Sequence, residues 1–197
     1  MISAKTVAEL RARTSAGMMD CKRALEETGG DMDKAVELLR AKGIAKAEKR
    51  AGRSASQGLV VEYMHHNGQV GVLVELNSES DFVARTEAFG QLARDIALHI
   101  ASADPLAVNA EDISPELIER ERRIAEQQVA EEGKPEAMRA KIVEGKLKKF
   151  VAERTLLEQK FVKDETKTIG ELVKEVSGKL GEAVVVRRFA RFKIGED

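Results

Sequence analysis

A turn dipeptide between two strand-like runs constrains the fold of this chain more than any other feature. Residues 59–64 are rich in amino acids that favour strands, and residues 70–76 place an apolar side chain at every second position. Asn67-Gly68 lies between the two runs, and this dipeptide favours a two-residue type I′ turn. The sequence therefore predicts an antiparallel β-hairpin.

The segments after the hairpin follow an order typical of an α+β fold. Apolar residues recur at helical spacing over 89–100, and residues 169–180 predict a further helix. Between them, 115–133 and 135–154 predict two charged helices that form an antiparallel pair. Residues 183–194 predict a strand that pairs with the hairpin and completes a three-stranded antiparallel sheet. Because strands and helices do not alternate as βαβ units, we expect an α+β core.

Three short helices are predicted before the hairpin. Met18, Cys21 and Leu25 place apolar side chains at i, i+3 and i+7 on the second of them. Asp31 is expected to cap the third helix, and Gly43 is expected to end it. The narrow apolar stripes of these helices predict a small N-terminal bundle.

Residues 45–57 differ in character from the segments on either side. Four basic residues oppose a single glutamate over 46–53, and glycines and serines then interrupt the helical periodicity. We interpret 45–57 as a basic, fraying helical linker between a helical domain (1–44) and an α+β domain (58–197). A basic segment of this kind also fits contact with RNA or with an acidic partner.

Composition excludes several classes of function. The 33 Lys and Arg residues nearly balance the 34 Asp and Glu residues, so global charge cannot hold this chain to nucleic acid. The single cysteine, Cys21, excludes an intramolecular disulfide, and we expect it to be buried. No apolar run approaches the ~20 residues of a membrane span, and no signal peptide is evident. We therefore expect a cytoplasmic protein that contacts neither DNA nor a membrane.

Motifs that would carry enzyme chemistry are absent from the sequence. It has no phosphate-binding glycine loop, no zinc-protease motif and no nucleophile elbow. His65 and His66 lie beside the hairpin turn, where we expect exposed residues and no metal. Gly178-Lys-Leu-Gly181 matches the bare GxxG of a KH domain, but it more simply ends a helix before a strand. We expect no enzymatic activity, no cofactor and no metal site.

The segment between the hairpin and the amphipathic helix allows two interpretations. Ser78 and Asp81 resemble a capping box, and a continuous helix would place Phe82 and Phe89 on one apolar stripe. Alternatively, Phe82 lies at a rigid corner beside a carboxylate, where it is available to enter a pocket of another protein. The residues alone leave both interpretations open.

The connection between the first two helices also allows two interpretations. Met18 can face the bundle, but Met19 lies ~100° further round the helix, so both cannot point inward. Met19 is either one exposed methionine or part of a small docking surface with Leu10 or Ala16.

Five stretches of the sequence together resemble the elongation factor Ts family, the nucleotide exchange factors of elongation factor Tu. The ordered combination spans almost the whole chain and is far more specific than any single stretch. The family usually has Thr where this chain has Ser80, and both hydroxyls can cap a helix. The stretches are 10–25, 30–43, 79–85, 145–150 and 188–195.

The resemblance implies a UBA-like helical domain followed by an α+β core. It also implies binding to elongation factor Tu in its GDP-bound and nucleotide-free states, without direct contact to nucleotide. By the same resemblance, Leu10, Met18 and Met19 dock onto the partner, and Asp81-Phe82 pushes into it and disturbs its Mg²⁺ site. Longer members carry two related core subdomains, so a homodimer is expected to supply the missing half. The residues assigned to the Mg²⁺-disturbing corner are Ser80, Asp81, Phe82 and Val83.

Two other functions remain as alternatives. An RNA- or ribosome-binding module would use the basic residues of 46–53 and of the strand 187–193. A hydrolase or redox enzyme would depend on Cys21 or His99, although no constellation of residues supports it.

Overall fold

The computed structural model describes residues 2–14, 16–50, 52–133 and 135–196. Ser15, in the predicted connection between the first two helices, and Ala51, in the predicted linker, lie outside these ranges. The helices are α1 (Ala4–Thr14), α2 (Met18–Glu27), α3 (Met32–Glu48), α4 (Asp81–Ala84), α5 (Glu87–Ala103), α6 (Pro115–Glu131), α7 (Glu136–Arg154) and α8 (Ile169–Leu180). The strands are β1 (Gln57–Met64), β2 (Val70–Ser78), β3 (Lys160–Phe161), β4 (Asp164–Thr168) and β5 (Val184–Lys193).

The predicted α+β fold is confirmed. A three-stranded antiparallel sheet has the order β1-β2-β5, so the last strand of the chain pairs with the hairpin. The helix pair α6 and α7 encloses a small apolar core of its own, formed by Ala125, Val129, Val143 and Leu147. The short antiparallel pair β3–β4 was not predicted, because its residues are mostly polar and give no alternating pattern.

The hairpin is confirmed, but its predicted two-residue type I′ turn is wrong. The connection has five residues, and the His65 N–H donates to the Val70 carbonyl at 2.9 Å. Inside it, the Gly68 N–H donates to the His65 carbonyl at 2.7 Å, and Gly68 alone takes a positive φ, of 69°. A type I′ turn needs a positive φ at both central residues, and Asn67 does not adopt one.

The third helix begins where the sequence predicts and ends later. The Asp31 carboxylate accepts hydrogen bonds from the Asp33 and Lys34 N–H groups, as expected of an N-cap. The predicted end at Gly43 is wrong, because α3 continues to Glu48. Ion pairs with other helices stabilise the extra turn. Lys46 Nζ lies 3.1 Å from the Asp20 carboxylate of α2, and Lys174 Nζ of α8 lies 2.8 Å from the Glu48 carboxylate.

Gly178 explains why the GxxG sequence lies at this point of the chain. A Cβ at Gly178 would lie 2.6 Å from the carbonyl oxygen of Gly43, so α8 approaches the backbone of α3 too closely for a side chain. Gly181 follows the last residue of α8 with φ 79°, the left-handed conformation of a helix C-terminus. The two glycines therefore serve packing and helix termination.

The chain divides into two compact units. The first comprises Met1–Leu59, Leu76–Leu92 and Glu171–Val185, and the second comprises Val60–Glu75, Ala93–Gly170 and Val186–Asp197. The first unit contains the helical core of Val7, Leu10, Cys21, Ala24, Leu25 and Ala35. The predicted division into 1–44, 45–57 and 58–197 stays a prediction.

Candidate partner-binding surface

The corner between β2 and α5 exposes one aromatic side chain beside buried neighbours. The helix α4 is a single turn, and within it Val83 and Ala84 are buried while Phe82 is 81% exposed. Among the exposed large apolar side chains of the described residues, Phe82 has the greatest exposure. The buried side chains of Val83 and Ala84 anchor this single turn, while Phe82 points outward.

The continuous helix from Phe82 to Phe89, which one of the two interpretations required, is not formed. Thr86 stands between α4 and α5, and its hydroxyl donates to the Val83 carbonyl at 2.8 Å. The same hydroxyl oxygen accepts from the Phe89 N–H at 3.3 Å, which caps the start of α5. This break separates the two rings, so Phe89 is fully buried whereas Phe82 faces solvent.

The predicted capping box at Ser78 is wrong by two residues. Ser80 is the N-cap of α4, and its Oγ accepts from the Val83 N–H at 3.4 Å. Ser78 is buried, and its hydroxyl donates to the Ser80 carbonyl at 2.8 Å. Asp81 occupies the first turn, where a carboxylate is favourable, and pairs with the Arg85 guanidinium at 2.9 Å.

Two glutamates connect this corner to the chain segment that precedes β5. The Ser80 N–H and hydroxyl both donate to the Glu182 carboxylate, at 2.9 Å and 2.6 Å. In return, the Ala183 N–H donates to the Glu79 carboxylate at 2.7 Å, and the Arg53 guanidinium lies 3.5 Å from it. The Ala183 N–H, and secondarily the charge of Arg53, hold the pKa of the Glu79 carboxyl below its usual range. Sequence reasoning missed Glu182, because it lies 102 positions from Ser80 and carries no local signal.

The predicted docking residues of the helical bundle differ in exposure. Met19 is 65% exposed and Met18 is 47% exposed, so neither faces the interior of the bundle. The expectation that Met18 joins the inward stripe of Cys21 and Leu25 is therefore wrong. Leu10 is fully buried, so its side chain supports the bundle from within and does not reach its surface.

A shallow depression on the bundle is lined in part by Met18. Its volume is about 420 Å³, and Ala8, Arg11 and Ala12 of α1 form the rest of its lining. The small alanines leave room for an incoming side chain, and the flexible thioether of methionine adapts to irregular surfaces. The bundle therefore presents both this depression and the exposed Met19 side chain at its surface.

Cys21 and His99, on which the enzyme alternative would depend, are both buried. Cys21 is fully buried, as predicted, and its thiol contacts the Ala16 carbonyl at 3.7 Å. Across 2–14, 16–50, 52–133 and 135–196, no group of three His, Cys, Asp or Glu side chains is arranged to hold a metal ion. No helix in the described part of the chain is both long enough and apolar enough to cross a membrane.

Carboxylates neutralise several of the basic residues expected of an RNA-binding module. In β5, Arg188 lies 2.7 Å from Glu75, and Arg191 lies 3.1 Å from Asp104. Lys193 lies 2.6 Å from Glu196. Because these pairs reduce the positive potential along the strand, they disfavour phosphate binding there.

Comparison with known protein sequences gives consistent matches over the full length. The family model described as Elongation factor TS matches residues 3–196. A protein of Syntrophomonas wolfei named Elongation factor Ts is 55% identical over 196 residues, covering 100% of this chain and 92% of that protein. The Elongation factor Ts of Thermosipho melanesiensis is 53% identical over 196 residues and is covered completely, as is this chain.

Proposed function

Because the chain belongs to the elongation factor Ts family, we propose that it is a guanine-nucleotide exchange factor of elongation factor Tu. It binds the GDP-bound partner in the cytoplasm, promotes GDP release and stays bound until GTP displaces it, during the elongation phase of translation. It catalyses no chemical reaction and does not itself contact the nucleotide. The observation that carries the proposal is Phe82, an 81% exposed aromatic ring on a corner held by hydrogen bonds.

Phe82 supplies the binding energy at the corner. Transfer of an exposed Phe side chain into an apolar pocket contributes about 1.5–3 kcal/mol. Here the free chain already exposes the ring, so little rearrangement opposes its transfer to the partner. Asp81 accompanies the ring into the interface, and Ser80 and Val83 fix the turn from which both project.

The expected effect on nucleotide follows from the geometry of Mg²⁺. This ion requires near-ideal octahedral coordination at about 2.0–2.1 Å, so a small displacement of the partner segments around it weakens phosphate binding. Asp81 and Phe82 need only move those segments. They need no contact with GDP, which agrees with the absence of a phosphate-binding loop from the sequence.

The Phe82 side chain alone does not account for a large acceleration of GDP release. Coupling between two sites is typically about 1–3 kcal/mol, so further contacts are required to hold the partner. We assign these contacts to Met18, Met19 and the depression on the helical bundle. Leu10 supports this surface from the core of the bundle. Homodimer formation stays a prediction.

Release of a fluorescent GDP analogue from elongation factor Tu tests the proposal. Substoichiometric wild-type chain is expected to accelerate release, and Phe82→Ala is expected to reduce the acceleration by roughly tenfold, as for a side chain at the centre of an interface. Phe192→Ala is the matched control, because Phe192 is also exposed (71%) but lies on β5. Full activity of Phe82→Ala, or equal losses in both variants, would exclude the assigned role of Phe82.

A further inference from the structure

The backbone that carries Phe82 is fixed at one residue, Ser80. Its N–H and its hydroxyl both donate to the two oxygens of the Glu182 carboxylate, at 2.9 Å and 2.6 Å. Its carbonyl accepts from the Ser78 hydroxyl at 2.8 Å. Hydrogen bonds to an ionised carboxylate are shorter and stronger than those between neutral groups. Glu182 therefore accepts two hydrogen bonds from the N-cap residue of α4, two positions before the exposed ring.

Glu182 is itself held by the helix that precedes it. Ser177, in the last turns of α8, is buried, and its hydroxyl donates to the Glu182 carbonyl at 2.6 Å. The next residue, Ala183, donates its N–H to the Glu79 carboxylate at 2.7 Å. Each of the two chain segments thus supplies a carboxylate to the other. Glu182 accepts hydrogen bonds from the N-cap residue of α4, and Glu79 accepts one from the residue before β5.

We propose that Glu182 is a positioning residue for nucleotide exchange, acting through Ser80 to hold Phe82 in the orientation that enters the partner. The inference rests on the proposed function. A side chain that is already oriented loses less conformational freedom on binding, and small misplacements of a working group are costly. Without the carboxylate, Ser80 keeps its helix-capping role but loses its fixed direction, so the Phe82 ring is still present and still exposed.

The substitution Glu182→Ala removes both hydrogen bonds to Ser80, and Glu182→Gln keeps the shape of the side chain. A glutamine presents one acceptor and one NH₂ group, so it satisfies only one of the two Ser80 donors. We expect an intermediate loss in Glu182→Gln. The matched control is Glu165→Ala, at an exposed glutamate of β4.

The experiment is a double-mutant cycle that measures the release of fluorescent GDP from elongation factor Tu. The maximal release rate and the concentration of this chain that gives half of that rate are measured separately. Glu182→Ala is expected to lower the maximal rate by roughly tenfold, and Glu165→Ala to leave it unchanged. In a Phe82→Ala background, Glu182→Ala is expected to have almost no further effect, because it acts through the ring that has been removed. Thermal unfolding checks that each variant is folded, and Glu182→Gln replaces Glu182→Ala in the cycle if the latter is not.

The possible results separate the inference from the proposed function. A wild-type chain that does not accelerate release overturns both. If the wild type is active and Phe82→Ala is impaired, but Glu182→Ala equals Glu165→Ala, only the role of Glu182 is overturned. Equal losses from Glu182→Ala in the presence and absence of Phe82 also contradict the inference, because a purely structural defect would act in both backgrounds.

Discussion

At the scale of single residues, His99 shows how burial fixes a protonation state. Its ring is fully buried, Nδ1 accepts from the Val162 N–H at 3.3 Å, and Nε2 lies 3.0 Å from Gln159 Oε1. The Gln159 amide donates in turn to the carbonyls of Ala103 and Glu153. This orientation makes Gln159 Oε1 an acceptor, so Nε2 carries the proton and the imidazole is neutral. Burial lowers the pKa of His99 below its ordinary value of 6.5.

The lowered pKa of His99 predicts a loss of stability in mild acid. The unfolded chain binds a proton at His99 as the pH falls below about 6.5, whereas the folded chain resists that proton. The free energy of unfolding is therefore expected to fall as the pH drops from 6.5 towards 5, above the range in which carboxylates titrate. Urea denaturation at a series of pH values measures this slope.

The substitution His99→Gln removes the titrating group, so we expect a flatter dependence of the denaturation midpoint on pH over this window. His66→Gln, at an exposed residue of the hairpin turn, is the matched control and is expected to retain the wild-type slope. An unchanged slope in His99→Gln would show that another group controls stability in this range.

At the scale of elements, the sequence correctly predicted the helices and strands whose apolar residues recur at a regular spacing. The hairpin strands, α5, α8 and β5 follow their apolar patterns closely. The end of α3 was not predictable in this way, because a glycine such as Gly43 is typical of a helix end, whereas the ion pairs of Lys46 with Asp20 and of Glu48 with Lys174 join distant segments. The break between α4 and α5 at Thr86 likewise depends on one hydroxyl that satisfies two backbone groups.

At the candidate site, too, the sequence could not predict contacts between residues that are far apart in the chain. The residues alone left the role of Phe82 open, and the resemblance to the elongation factor Ts family singled it out. The sequence could not reveal Glu182, because the contact with Ser80 joins two distant segments. It also could not foresee that Leu10 is buried while Met18 is exposed, because helical spacing places both on apolar stripes and only the packed bundle decides between them.

The close approach of α8 to α3 predicts that a side chain at Gly178 destabilises the fold. In Gly178→Ala the new methyl group would lie 2.6–2.8 Å from backbone atoms of Gly43, which cannot move aside easily. We expect a loss of about 1–3 kcal/mol in the free energy of unfolding, typical of overpacking. Chemical denaturation of the purified variant measures the loss.

The matched control for this prediction is Gly145→Ala on α7. A methyl group there meets no atom within 4 Å, so the substitution should follow intrinsic helix propensity and raise stability by about 0.5–1 kcal/mol. The interpretation of Gly178 fails if both substitutions change stability in the same direction.

At the scale of the whole molecule, exchange activity is a property of linked equilibria. If this chain weakens the binding of GDP to elongation factor Tu, GDP must weaken the binding of this chain by the same factor. In the proposed interface, affinity for the partner comes from Phe82, from the glutamates that hold its corner and from the exposed methionines of the bundle. Only their different fit to the GDP-bound and nucleotide-free partner changes the affinity of that partner for GDP.

The most direct test of the account is the affinity of the wild-type chain for elongation factor Tu, measured by calorimetric titration without nucleotide and again at saturating GDP. The account predicts a Kd at least about fivefold higher with GDP, within the usual range of coupling between two sites. The same factor should describe how much the chain raises the Kd of GDP. An identical Kd with and without GDP would contradict the account, because a chain that binds both states equally cannot weaken the binding of GDP to its partner.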